Sequence, residues 1–173
     1  MKVLVLASLL LSHFCVSAFA PRFSQTRISA GVERFAEVSD LTETEREVYD
    51  FVEDLHSSEF NFRVVVVGNG AILESTHPLG PTMKLNASPK TGEHLITFAS
   101  EDQSFEFHLK CSQVKSIALA ERPGPDGEVA LRIFRFMNLE NGPLCSLILG
   151  DKSDEAASWF DGMKEKHGGQ LEF

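Results

Sequence analysis

The chain has 173 residues and a formal net charge of −9, with 16 Lys and Arg against 25 Asp and Glu. That length suits one domain with a full core, and the acidic balance argues against binding nucleic acid or an anionic membrane surface. Three cysteines, with no Cys-x-x-Cys and no Cys/His spacing, argue against a disulfide framework and a zinc site.

Residues 1–18 read as a signal peptide: Lys2, an apolar run VLVLASLLLS, then a small-residue site at Val16-Ser17-Ala18. The run is too short for a stable membrane span, and no later stretch offers one. Residues 19–35 read as a transit peptide and linker, because 19–31 hold Arg22, Ser24, Thr26, Arg27 and Ser29 and no acid. The junction Ser17-Ala18-Phe19-Ala20-Pro21 resembles the bipartite leaders of algae with secondary red plastids, where a Phe stands just after signal cleavage. That resemblance implies delivery to the plastid (chloroplast stroma) by the secretory route; an ordinary secreted protein is the alternative. The folded domain is expected over 36–173. Without 1–31 the loss of Lys2, Arg22 and Arg27 takes the charge from −9 to −12. Cys15 goes too, leaving Cys111 and Cys145 in apolar strand patterns, as reduced core thiols.

Thr42-Glu43-Thr44-Glu45 is a capping box, and the helix it opens carries Val48, Tyr49, Phe51, Val52 and Leu55 at 3.6-residue spacing. His56-Ser57-Ser58 ends it. The β-branched run NFRVVVV, the Gly68-Asn69-Gly70 break and the run AILES read as a hairpin. A dinucleotide fingerprint fails there, since Leu73 stands where the third glycine belongs. Residues 76–92, with Pro78, Pro81 and Pro89, read as a loop or an irregular edge. Further strands are expected over 94–100, 104–110, 114–122, 129–137 and 144–149. A closing helix begins at Asp151-Lys152-Ser153-Asp154, places Ala156, Trp159, Phe160 and Met163 on one side, and stops at Gly168-Gly169. Trp159, as the largest side chain of that stripe, is expected to be its main anchor. The sum is an α+β domain: an antiparallel meander of about seven strands between two helices.

Two segments carry most of the functional interest. In 104–110, Phe105, Phe107 and Leu109 share one parity, while Ser104, Glu106, His108 and Lys110 share the other. The segment 129–137 (VALRIFRFM) is apolar on both parities, so its two faces need two covers: a helix and a second layer, subunit or apolar ligand. His108 beside Lys110 suits a haem, with imidazole nitrogen to iron and ammonium to a propionate. The plain alternative is an exposed or hydrogen-bonded strand histidine. His77, in a proline-bounded loop, would be a second ligand or a surface residue; His94 precedes a strand, and His56 and His167 sit at helix ends. No G-x-S-x-G and no basic setting around Cys111 or Cys145 supports a hydrolase.

The stretches NFRVVVVGNGAILES, PLGP, FEFHLK, IALAERPGPDGEV and PLCSLILGDK, in that order over 48–163, resemble the bacterial haem-utilisation proteins of the HemS/ChuX/HutX kind. The resemblance implies a haem cofactor with His108 on the strand histidine of the short members. It also implies a homodimer whose two copies mimic the two-repeat architecture of the longer members. The other histidine of the short members falls near Val67, and valine cannot ligate iron. The expected function is haem or tetrapyrrole storage, buffering or transfer in the plastid, with His108, Lys110 and His77 as site residues and His108 as the metal ligand. A haem-opening enzyme and a protein-interaction module on the same fold are the alternatives.

Overall fold

The computed structural model describes residues 34–68, 70–125, 127 and 130–173. Residues 1–33 of the expected leader and linker, and Val129, lie outside them; Arg34 and Phe35, expected in the linker, form a short strand. In chain order the elements are β1 (Arg34–Phe35), α1 (Glu43–Ser57), β2 (Asn61–Gly68), β3 (Ala71–Pro78), β4 (Thr82–Ala87), β5 (His94–Ala99) and β6 (Glu106–Lys110). They continue with β7 (Val114–Pro123), β8 (Ala130–Asn138), β9 (Pro143–Leu149), α2 (Asp154–His167) and β10 (Gln170–Glu172).

Both helices start where their caps predict. The Thr42 hydroxyl accepts from the Glu45 amide at 3.3 Å, and the Glu45 carboxylate accepts from the Thr42 amide at 3.1 Å. Ser153 caps α2 by accepting from the Ala156 amide at 3.1 Å. Gly168 leaves α2 with φ +77°, a conformation a glycine adopts without strain.

The α+β class holds, and the strands divide between two sheets. One sheet has the order β10-β7-β8-β9-β2-β3, the other β1-β4-β5-β6, all antiparallel. Alternating apolar residues mark strands but not their partners, and β2 takes β9 as its second neighbour, with Val64 opposite Leu147. The stretch expected as a loop over 76–92 is a correction: β3 runs to Pro78, and β4 occupies Thr82–Ala87. Pro78 ends an edge strand and Pro81 precedes the next one, so neither removes a ladder bond from a central strand. Between them, Gly80 holds φ +84° and packs so close to β5 that a Cβ there would lie 2.3 Å from the Ala99 carbonyl oxygen.

The core forms where α1 and α2 cover one face of the six-stranded sheet. Phe134 and Phe136 of β8 meet Phe51 of α1 edge-on at 6.1 and 6.2 Å, and Phe160 of α2 meets Phe134 at 5.1 Å. Trp159 departs from its expected role: it is half-buried, while Phe160 beside it is fully enclosed. A 3.6-residue stripe is wider than the line of deepest contact, and Trp159 sits on its flank. The opposite parity of β8 has Ile133 buried, and Leu131, Arg135 and Met137 half-buried. Both α-helices of the described residues lie on the first face.

α1 also reaches the four-stranded sheet. His94 at the start of β5 places Nδ1 3.2 Å from both oxygens of the Glu45 carboxylate. Burial pushes that carboxyl's pKa up, but the Thr42 amide, His94 and the Thr42 hydroxyl together hold it below the ordinary value. His56 Nε2 donates to the Gly80 carbonyl at 2.9 Å, and His167 Nε2 lies 2.7 Å from Asp54. These three histidines therefore tie helix ends to neighbouring elements.

Candidate functional site

Among the described residues β6 is an edge strand, paired with β5 alone. Across from its free edge stand Val66 of β2, Asn138 of β8, and Leu144 and Cys145 of β9, and together they bound a cleft of about 380 Å³. β6 contributes Phe107, His108, Leu109 and Lys110 to this cleft. The alternation of β6 is as expected: Leu109 is buried and Phe107 half-buried, while Glu106, His108 and Lys110 are exposed. The cleft thus has an apolar wall with an imidazole and an ammonium at its rim.

His108 is held at one nitrogen. Its partner in the ladder is Thr97 of β5, and the Thr97 Oγ1 lies 2.8 Å from His108 Nδ1. The other nitrogen, Nε2, stands 3.6 Å from Glu106 Oε1, beyond hydrogen-bonding distance, and the side chain is 49% exposed. Lys110 is engaged elsewhere, its ammonium 2.8 Å from Glu93 Oε2. The Lys110 and Thr91 hydrogen bonds keep the Glu93 carboxyl below the ordinary carboxylate range. His77 is on β3, not in a loop, opposite Phe62 in the ladder; its ring stacks on Phe105 at 4.7 Å and 21°. It does not line the cleft that holds His108. Val67, where the family resemblance places a second histidine, is 40% exposed near the hairpin tip. Its neighbour Val66 lines the cleft instead.

The donor set limits the chemistry. Among the described residues no three His, Cys, Asp or Glu groups gather as metal ligands. A bare metal ion, which needs several protein donors, does not fit. A metal whose equatorial positions are already filled by its own macrocycle needs one or two protein donors, and a lone imidazole in an apolar setting suits that case. Cys145 offers no thiolate, because burial pushes its pKa up to about 12; Cys111 is raised to about 12 as well, by burial and then by the Glu45 charge. Both are free thiols in the core, as expected.

Sequence reasoning missed Thr97 and Lys84. The register sets Lys84 opposite Thr97 and Thr97 opposite His108, so the three share one face of the four-stranded sheet. The parity of TMKLNA would have placed Lys84, had 82–87 been read as a strand.

No family model matches the chain, and no curated protein matches it. Solved structures do. ChuX aligns with a TM-score of 0.55 at 19% identity, over 69% of this chain and 72% of that one. A protein from Erwinia carotovora aligns at 0.53 and 15% identity, over 69% and 71%. Holo-PhuS, a heme-binding protein from Pseudomonas aeruginosa, aligns at 0.51 and 15% identity, over 75% of this chain and 34% of that one. At these identities the likeness is one of fold: the chain has the α+β architecture of ChuX and of part of PhuS.

Proposed function

We propose that the protein binds haem or a related tetrapyrrole along the β6 cleft, without catalysis, for storage, buffering or transfer. The observation that carries this reading is His108: one ring nitrogen is held by Thr97 and the other stands at the rim of an apolar cleft. The shared fold with holo-PhuS, whose own description is a heme-binding protein, supports it. His108 is the iron ligand, Val66, Phe107 and Leu144 contact the macrocycle, and Lys110 reaches a propionate by sharing or leaving Glu93. His77 would serve as a second axial ligand only after leaving its stack on Phe105. The bound group supplies the iron centre; the chain supplies one neutral imidazole, apolar contact and charge balance.

We further propose a homodimer, formed through the parity of β8 that neither helix covers. The site of action is the plastid stroma, reached through residues 1–31; these should carry a fluorescent reporter there, and Phe19→Ala should block its entry. Ile72 and Leu73, 67% and 66% exposed on the β3 edge strand, favour a second reading, a protein-interaction module.

Haemin titration decides between the two. The wild-type chain should develop a shifted Soret band, and His108→Ala should lose the ligated signature while keeping its far-UV spectrum, since an exposed strand histidine adds little to the core. Identical titrations of the two proteins would remove His108 as ligand and leave the interaction module as the better reading.

A further inference from the structure

Resting on that reading of His108, we infer that Lys84, Thr97 and His108 form one composite site for a ligand carrying an electron-pair acceptor and, about 10 Å from it, a carboxylate. The ladder sets the three side by side: Lys84 opposite Thr97, Thr97 opposite His108. The neighbouring row, Leu85, Ile96 and Leu109, has the opposite parity and is buried in the core, so the first row lies on the other face of the sheet. Two strand spacings of about 4.8 Å separate the backbones at Lys84 and His108, which sets the spacing of the strands that carry the two binding groups.

Thr97 is the positioning residue of the row. It is 5% exposed, and its hydroxyl is the group within hydrogen-bonding distance of His108 Nδ1. A neutral imidazole offers one lone pair, so the direction of this hydrogen bond decides which nitrogen offers it. When the Thr97 hydroxyl donates, Nδ1 uses its lone pair and Nε2 carries the hydrogen, turned toward Glu106 Oε1 at 3.6 Å. When Nδ1–H donates to Oγ1, the lone pair of Nε2 is presented outward, ready for an electron-pair acceptor. A hydroxyl can donate to or accept from Nδ1 and so serves both states; an alkyl side chain serves neither.

Lys84 is the cation of the row. Lys110 must first share or leave Glu93, whereas the exposed Lys84 has no carboxylate within ion-pair distance among the described residues. The same face holds Asn86, 9% exposed, whose Oδ1 has no hydrogen-bond partner among the described residues.

Haemin and haemin dimethyl ester, titrated into the full-length chain, separate the two functions of the row. Lys84→Gln should bind haemin about five-fold more weakly, the effect of one partly exposed charge contact, and bind the diester as the wild type does. Equal loss on both probes, or loss on neither, overturns the role of Lys84. Nitrogen-15 shifts of the His108 ring in the ligand-free chain read Thr97 independently of any porphyrin. Wild type and Thr97→Ser should both show a hydrogen-bonded Nδ1, and Thr97→Val should lose that signature and weaken the ligated Soret band. Unchanged ring shifts in Thr97→Val overturn the positioning role. A wild-type chain that takes up neither porphyrin overturns the tetrapyrrole reading and, with it, the composite site.

Discussion

Phe134→Ala should lower the unfolding free energy by about 3–5 kcal/mol, the cost of removing a large aromatic from a closed core. Phe134 is fully buried and lies at the centre of the aromatic cluster. It touches Phe51 of α1 at 6.1 Å, Phe62 of β2 at 6.2 Å, and Trp159 and Phe160 of α2 at 5.7 and 5.1 Å. Four rings from three elements cannot close over the cavity together, so little of the loss is recovered by relaxation. Trp159→Ala should cost clearly less, because that ring is half-buried and water can occupy part of the space it leaves. Urea titrations followed by circular dichroism measure both. A Phe134→Ala protein within 1 kcal/mol of wild type, or one more stable than Trp159→Ala, would contradict this packing.

Gly80→Ala should be nearly as damaging, for a different reason. The residue needs a positive φ of +84°, which costs an alanine about 1 kcal/mol or more. Its Cβ would also fall 2.3 Å from the Ala99 oxygen and 2.7 Å from the Ala99 carbonyl carbon, so the β5 backbone must move. Gly92→Ala is the internal control: φ is +73°, and nothing lies within 4 Å of the added carbon. It should show the backbone cost alone. Equal midpoints of thermal unfolding for the two variants would mean that the turn has room for a side chain.

Local signals in the sequence were reliable where local chemistry decides the outcome. The Thr42–Glu45 box, the Gly68–Gly70 break, the stop at Gly168 and the alternation of 105–110 all appear in the structure as read. What stayed hidden depends on pairing between distant strands. β4 was obscured by Pro78, Pro81 and Pro89, which flank it without interrupting its ladder. The division into two sheets follows from β2 choosing β9, and nothing within either segment records that choice. The candidate site divides in the same way. The outward face of His108 is visible in its parity, whereas the Thr97 hydrogen bond exists only because β5 and β6 pair in one register. The pairing of Lys110 with Glu93 is not legible in the sequence, because Glu93 lies 17 positions earlier on another segment. The prolines around His77 suggest a loop, yet β3 continues through Pro78.

The pairing of β2 with β9 also governs the order of assembly. β2 is joined to β9 from Phe62–Leu149 to Val66–Cys145, and the seam is locked at one end by the Gly150 amide donating to the Asn61 carbonyl at 2.7 Å. Until β9 has left the ribosome, β2 has a single neighbour, β3, and the strand keeps an open edge for most of the time the chain is being made. A hairpin alone is marginal in water, so the early half has little to gain by settling before the late half arrives. Folding is therefore expected to wait for the whole chain and then proceed in one slow, cooperative step set by this long-range closure. An incomplete chain ending before Leu144 would remain pliable, a state suited to being threaded through a narrow channel.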